Sequence, residues 1–118
     1  MAENPREILD ELVNGARSIK GLDSERFQGW VGFSKAVLEP GALDLKTKEL
    51  ICAALGLHTH CKYCIVFHIY QALKAGATRE ELIETAFTTG MMGGGPVMTY
   101  GYTLFLDSIN TFAPDFEK

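Results

Sequence analysis

Apolar residues recur at intervals of three and four along almost the whole chain, and no stretch alternates long enough to build a strand. This periodicity restricts the fold more than any other feature, because a chain patterned this way can only bury its apolar stripes by packing helices together. An all-α, single-domain orthogonal bundle of about six helices is expected. Asn4 and Pro5 open the first, over roughly Pro5 to Lys20, where Ile8, Leu9, Leu12, Val13 and Ala16 share a face. The second covers Ser24 to Leu38, with Phe27, Trp30, Val31, Ser34 and Val37 in register, and Pro40-Gly41 stops it. Asp44 caps a third that continues through Leu57, and a break is expected at His58-Thr59-His60. A fourth spans Cys61 to Gly76, and a fifth starts at Thr78, where Glu81 completes a capping box, and runs to about Met91. A sixth follows Gly93-Gly94-Gly95, from Pro96 to Asn110. The core is expected within residues 24–110, and residues 111–118 are expected to form an irregular arm.

The chain's 118 residues suit one domain, which the expected bundle assigns to residues 1–118. A monomer of this size covers only about two thirds of its unfolded surface, so part of the apolar content is free for a subunit interface. A net charge of −4 disfavours nucleic acid and anionic lipid as partners. The N-terminus is acidic, with no apolar secretory core, and no run approaches the roughly 18 apolar residues of a membrane span. Three cysteines, two of them close together, suit a reducing compartment better than a secreted disulfide scaffold, and a cytoplasmic location is expected.

The chemistry concentrates between Glu49 and His68. Cys61 and Cys64 are three apart, so on a helix their sulfurs face the same way and can approach bonding distance. In a first helical turn, unpaired amide N–H groups and the helix dipole favour thiolate over thiol, which disulfide exchange requires. His68, four residues after Cys64, continues the stripe and can move a proton to or from a thiol. A redox dithiol, half of a zinc site completed by His58, His60 or His68, and a pair of inert buried thiols all satisfy this spacing. Cys52, in the apolar run around it, reads as a small packing residue. His58 and His60 read as turn residues, and Tyr63 as a pocket wall or packing group. The stripe of Phe87, Met91, Met92, Met98, Tyr102 and Phe105 reads as core or interface. The triple glycine lacks the lysine and preceding strand of a phosphate loop. Glu49 alone reads as a solvated helix residue. With a break at 58–60, however, its helix can fold back and bring the carboxylate to the cysteines.

Glu49, eleven residues, Cys61-Lys62-Tyr63-Cys64, three residues and His68 together resemble the E-x11-C-x2-C-x3-H signature of the alkylhydroperoxidase D (AhpD)-like proteins, in the carboxymuconolactone decarboxylase superfamily. The resemblance extends from about Phe27 to Phe105 and includes the segments Leu43–Leu50 and Ala75–Leu82. It implies an all-α, oligomeric protein, a trimer or hexamer, that reduces alkyl hydroperoxides or disulfides. By the same resemblance, Cys64 is the peroxidatic nucleophile, Cys61 resolves it, and His68 and Glu49 relay protons. The redox-active disulfide Cys61–Cys64 serves in place of any cofactor or metal, and a thiol donor protein restores the dithiol. The AhpD prototype has a histidine just before its second cysteine where this chain has Tyr63. A phenol with a pKa near 10 is no base at neutral pH, so disulfide reduction, protein disulfides included, fits as an alternative to peroxide turnover. Metal binding or a structural oligomer through the same thiols is the alternative from a different class.

Overall fold

The first five helices each begin where a side chain takes up a free N–H group of the first turn. In the computed structural model, which describes residues 3–117, α1 (Pro5–Leu22) starts at Asn4, whose side chain accepts from the Glu7 N–H at 2.9 Å. It runs past Gly21, and Asp23 both ends it and caps α2 (Ser24–Leu38) through the Arg26 N–H. Asp44 caps α3 (Leu45–His58) through the Thr47 N–H at 2.8 Å. Thr78 and Glu81 form the expected capping box at the start of α5 (Arg79–Gly93).

Between α3 and α4 (Lys62–Lys74) the chain turns in three residues. His60 takes a left-handed φ of 56°, its N–H donates to the Leu57 carbonyl, and the Cys61 N–H reaches back to Gly56. This Schellman closure satisfies the last carbonyls of α3 and delivers Cys61 to the cap of α4. Gly76, at φ 101°, makes the same closure at the end of α4. The break expected at 58–60 is present.

The last rod consists of α6 (Gly95–Tyr100), a π-helical turn over Gly101–Phe105 and α7 (Leu106–Phe116), so six helical rods form one all-α domain. Here the structure corrects the sequence reading, because residues 111–116 are not an irregular arm. The helix continues through Pro114 because its inner face is fully used: Ile109, Phe112 and Ala113 are buried, and Tyr70 packs edge-on against Phe112 and Phe116. Arg6 adds an ion pair with Asp115. Lys118, the end of the expected arm, lies outside the described residues, as do Met1 and Ala2 at the other end of the expected domain.

The core centres on α4, whose Ile65, Val66, Ile69 and Ala72 meet Ala53 and Leu57 of α3, Leu82 of α5 and Phe105, Ile109 and Phe112 of the last rod. Leu and Phe side chains removed from water this completely contribute about 1.5–3 kcal/mol each. One rod departs from the expected pattern. No residue of α2 is buried, and Trp30 and Phe33 are each 63% exposed. Phe27 and Leu38 are half-buried, while Trp30, Val31, Phe33 and Val37 face outward. The aromatic and methionine stripe divides, with Phe105 in the core and Phe87, Met91, Met92 and Tyr102 on the surface. No described helix is long and apolar enough to cross a membrane.

Candidate redox site

The turn at 59–61 sets the geometry of the sulfurs. Cys61 is the N-cap of α4 rather than a residue of its first turn, and its Sγ accepts from the Cys64 N–H at 3.2 Å. The two cysteines are joined as a disulfide, with Cα atoms 5.2 Å apart. The Cys64 N–H, one of the free amides that open α4, therefore points at the Cys61 sulfur, a position where the start of a helix favours negative charge. With both sulfurs bonded to each other, neither is free to ligate a metal in this state.

Helix α4 then runs back along α3. The closeness of the two depends on Gly56, since a Cβ there would lie 2.9 Å from the Cys64 Cβ and 3.1 Å from its carbonyl carbon. Cys64 is thus seated against the α3 backbone. One turn further along, His68 meets Glu49, and Nδ1 lies 2.7 Å from Oε1. Glu49 is only 3% exposed, and among the described residues His68 is its sole side-chain partner, while the imidazole remains partly open to solvent. A buried carboxylate bonded to one ring nitrogen orients the ring and defines which nitrogen faces outward. Of the four residues singled out from the sequence, the structure joins Cys61 to Cys64 and Glu49 to His68, with Cys64 and His68 one turn apart on α4.

Cys52 was expected only to pack. It lies one turn after Glu49, is partly exposed, and its sulfur falls in a group with a Glu49 oxygen and a His68 nitrogen whose members are all within 4.8 Å of one another. Burial pushes its thiol pKa up, and the Glu49 charge pushes it further. The signal in the sequence was the three-residue spacing from Glu49, hidden by the apolar run around it.

The residues between the disulfide sulfurs are tied to the N-terminal segment. Lys62 pairs with Glu3 at 2.6 Å and lies over the Tyr63 ring, and the Tyr63 hydroxyl donates to Glu11, which raises its pKa. The phenol therefore faces α1 as a protonated group. His60 stacks on Tyr100, and His58 packs near Gly93, so both serve the turn.

Fold and site together define an all-α protein with a CxxC disulfide at the mouth of a central helix. The family model described as carboxymuconolactone decarboxylase matches residues 24–107. The chain belongs to the carboxymuconolactone decarboxylase family. A curated relative from Cupriavidus necator, an uncharacterised protein, is 40% identical over 81 residues, 67% of this chain and 72% of its own. A crystal structure of a carboxymuconolactone decarboxylase family protein from Legionella pneumophila superposes with a TM-score of 0.88 at 35% identity, covering 92% of this chain and 96% of that one. A family member from Thermotoga maritima, for which involvement in an antioxidative response has been suggested, gives 0.72 at 26% identity over 92% and 97%.

Proposed function

We propose that the chain is an AhpD-like thiol oxidoreductase that reduces hydroperoxides through the Cys61/Cys64 couple. The observation that carries the reading is the bond between buried Glu49 of α3 and His68, which lies one turn after the disulfide's Cys64 on α4. Neither an inert thiol pair nor a structural crosslink needs a buried carboxylate bonded to an imidazole one turn after its second cysteine. The antioxidative context suggested for the Thermotoga relative supports the same direction.

In the reduced protein His68, four residues from Cys64, takes the Cys64 proton. The Cys64 thiolate attacks the peroxide's outer oxygen, the O–O bond breaks, and the leaving alkoxide takes a proton from His68 to depart as the alcohol. Cys64 is then a sulfenic acid. The Cys61 thiolate, stabilised by the α4 N-terminus, attacks the Cys64 sulfur, the S–O bond breaks, and the departing hydroxide takes from solvent the proton that Cys61 gave up, leaving as water. Glu49 acts as a positioning residue that keeps the imidazole aimed and stabilises it when charged. An external dithiol donor protein reduces the disulfide, which suits a reducing, cytoplasmic-type compartment.

A second reading, protein-disulfide reduction with little peroxide turnover, is favoured by Tyr63, whose hydroxyl is committed to Glu11 and offers no second base. One titration separates the two. The reduced protein should fall from three free thiols to one with a single equivalent of hydroperoxide, and Cys64→Ser should abolish donor-dependent peroxide consumption. Three thiols persisting under mild peroxide would remove the peroxidase reading, and turnover of disulfide substrates alone would establish the second.

The protein is further proposed to act as a homo-oligomer of trimeric or hexameric type. The support is α2, none of whose residues is buried, together with an open groove between α3 and α5 walled by Leu50, Ile51, Ala54, Leu55 and Met92 and by the polar Glu84, Thr85 and Thr88.

A further inference from the structure

The proton-relay reading uses Glu49 and His68 but leaves Cys52 idle beside them. We propose that Glu49, Cys52 and His68 form a binding site for a thiophilic divalent cation, zinc in particular, distinct from the Cys61–Cys64 pair. Glu49 and Cys52 project from the same face of α3 at a three-residue spacing, and His68 faces them from α4, so two helices supply a carboxylate, a sulfur and an imidazole. This donor set suits Zn²⁺, whose three-ligand sites keep a fourth position for water.

The distances are near what such an ion needs. Ligands held about 2.0–2.3 Å from a tetrahedral centre stand roughly 3.5 Å from one another. The three atoms lie within 4.8 Å, so rotamer adjustments of about 1 Å would close the site. The electrostatics also favour a cation, since the Glu49 carboxylate is buried with an imidazole as its only side-chain partner among the described residues. A doubly charged ion would neutralise it where, among the described residues, no lysine or arginine does. On binding, the Cys52 S–H bond is replaced by S–Zn and its proton leaves to solvent, while the Glu49–His68 hydrogen bond opens and the imidazole keeps its one proton on the nitrogen turned away from the ion. A cation there also occupies both groups of the proposed relay and would hold it off. That consequence rests on the relay reading, but the binding does not.

The test uses the oxidised protein, in which Cys61 and Cys64 are tied up and Cys52 is the free thiol. Cobalt(II) added alone should bind one to one and give a thiolate-to-cobalt charge-transfer band, which zinc displaces. Cys52→Ala and Cys52→Ser should lose the band, and each should weaken zinc by at least about tenfold in calorimetry. Glu49→Gln should weaken zinc while keeping the band. Helical circular dichroism of each variant confirms folding. A one-to-one cobalt complex lacking the thiolate band, or no binding at all, would overturn the proposal. Neither result would touch the peroxide titration, because the dithiol plays no part in this measurement.

Discussion

At the scale of single residues, the site depends on two positions that carry no chemistry of their own. His60 accepts a left-handed backbone, which costs an L-residue about 1–2 kcal/mol, so that Cys61 can cap α4. Gly56 lets Cys64 rest against α3, and an added Cβ would meet the Cys64 Cβ and the backbone behind it rather than a flexible side-chain tip. Gly56→Ala should therefore push the two helices apart, lowering unfolding free energy by about 1–3 kcal/mol in denaturant titration. It should also loosen the Glu49–His68 contact one turn away, so peroxide reactivity should fall more than stability alone accounts for. Unchanged stability with full reactivity would show that α4 does not depend on this contact. Gly56 could not be singled out in the sequence, where a glycine inside a helical pattern says nothing about what approaches it.

At the scale of the elements, capping rather than intrinsic propensity positions the helices that carry the site. Asp44 at α3 has its carboxyl held below the ordinary range by bonds to Thr47, and Glu81 at α5 is held low first by Lys46 and then by the Thr78 N–H. A depressed carboxyl pKa contributes stability above its unfolded value, and that contribution is lost as pH falls through the folded value. The first turns of α3 and α5 should therefore fray as pH drops below about 4, ahead of α4, whose cap is a sulfur. Amide hydrogen exchange across that range checks this, and uniform loss of protection in all three helices would contradict it. These caps were legible because they are local, each set within three residues. The helical extension through Pro114 was not, because Phe112 is held by Tyr70 of α4, about forty residues earlier in the chain.

At the scale of the whole molecule, the 13.0 kDa chain buries a core around α4 yet leaves α2 and the α3–α5 groove bare. Exposed aromatic and methionine surface of this extent marks an association site more often than a free face. Sedimentation should find an assembly larger than one chain. Replacing Trp30 and Phe33 together by glutamate should dissociate it without loss of helical content, since neither side chain supports its own subunit's core. A wild-type protein that sediments as a single chain at micromolar concentration would remove the oligomer from the proposed function.

The sequence by itself determined what depends on neighbours along the chain: the helical period, the caps and turns, and the stripe that lines up Cys64 and His68 on α4. These rest on three- and four-residue spacings, which a single helix enforces. Only the tertiary structure decided that Glu49 turns inward onto His68, that Cys52 joins them, and that residues 111–116 stay helical. Each of those depends on the register at which one helix lies against another. That register is set by packing at contacts such as Gly56 against Cys64 and Tyr70 against Phe112, which no local pattern encodes.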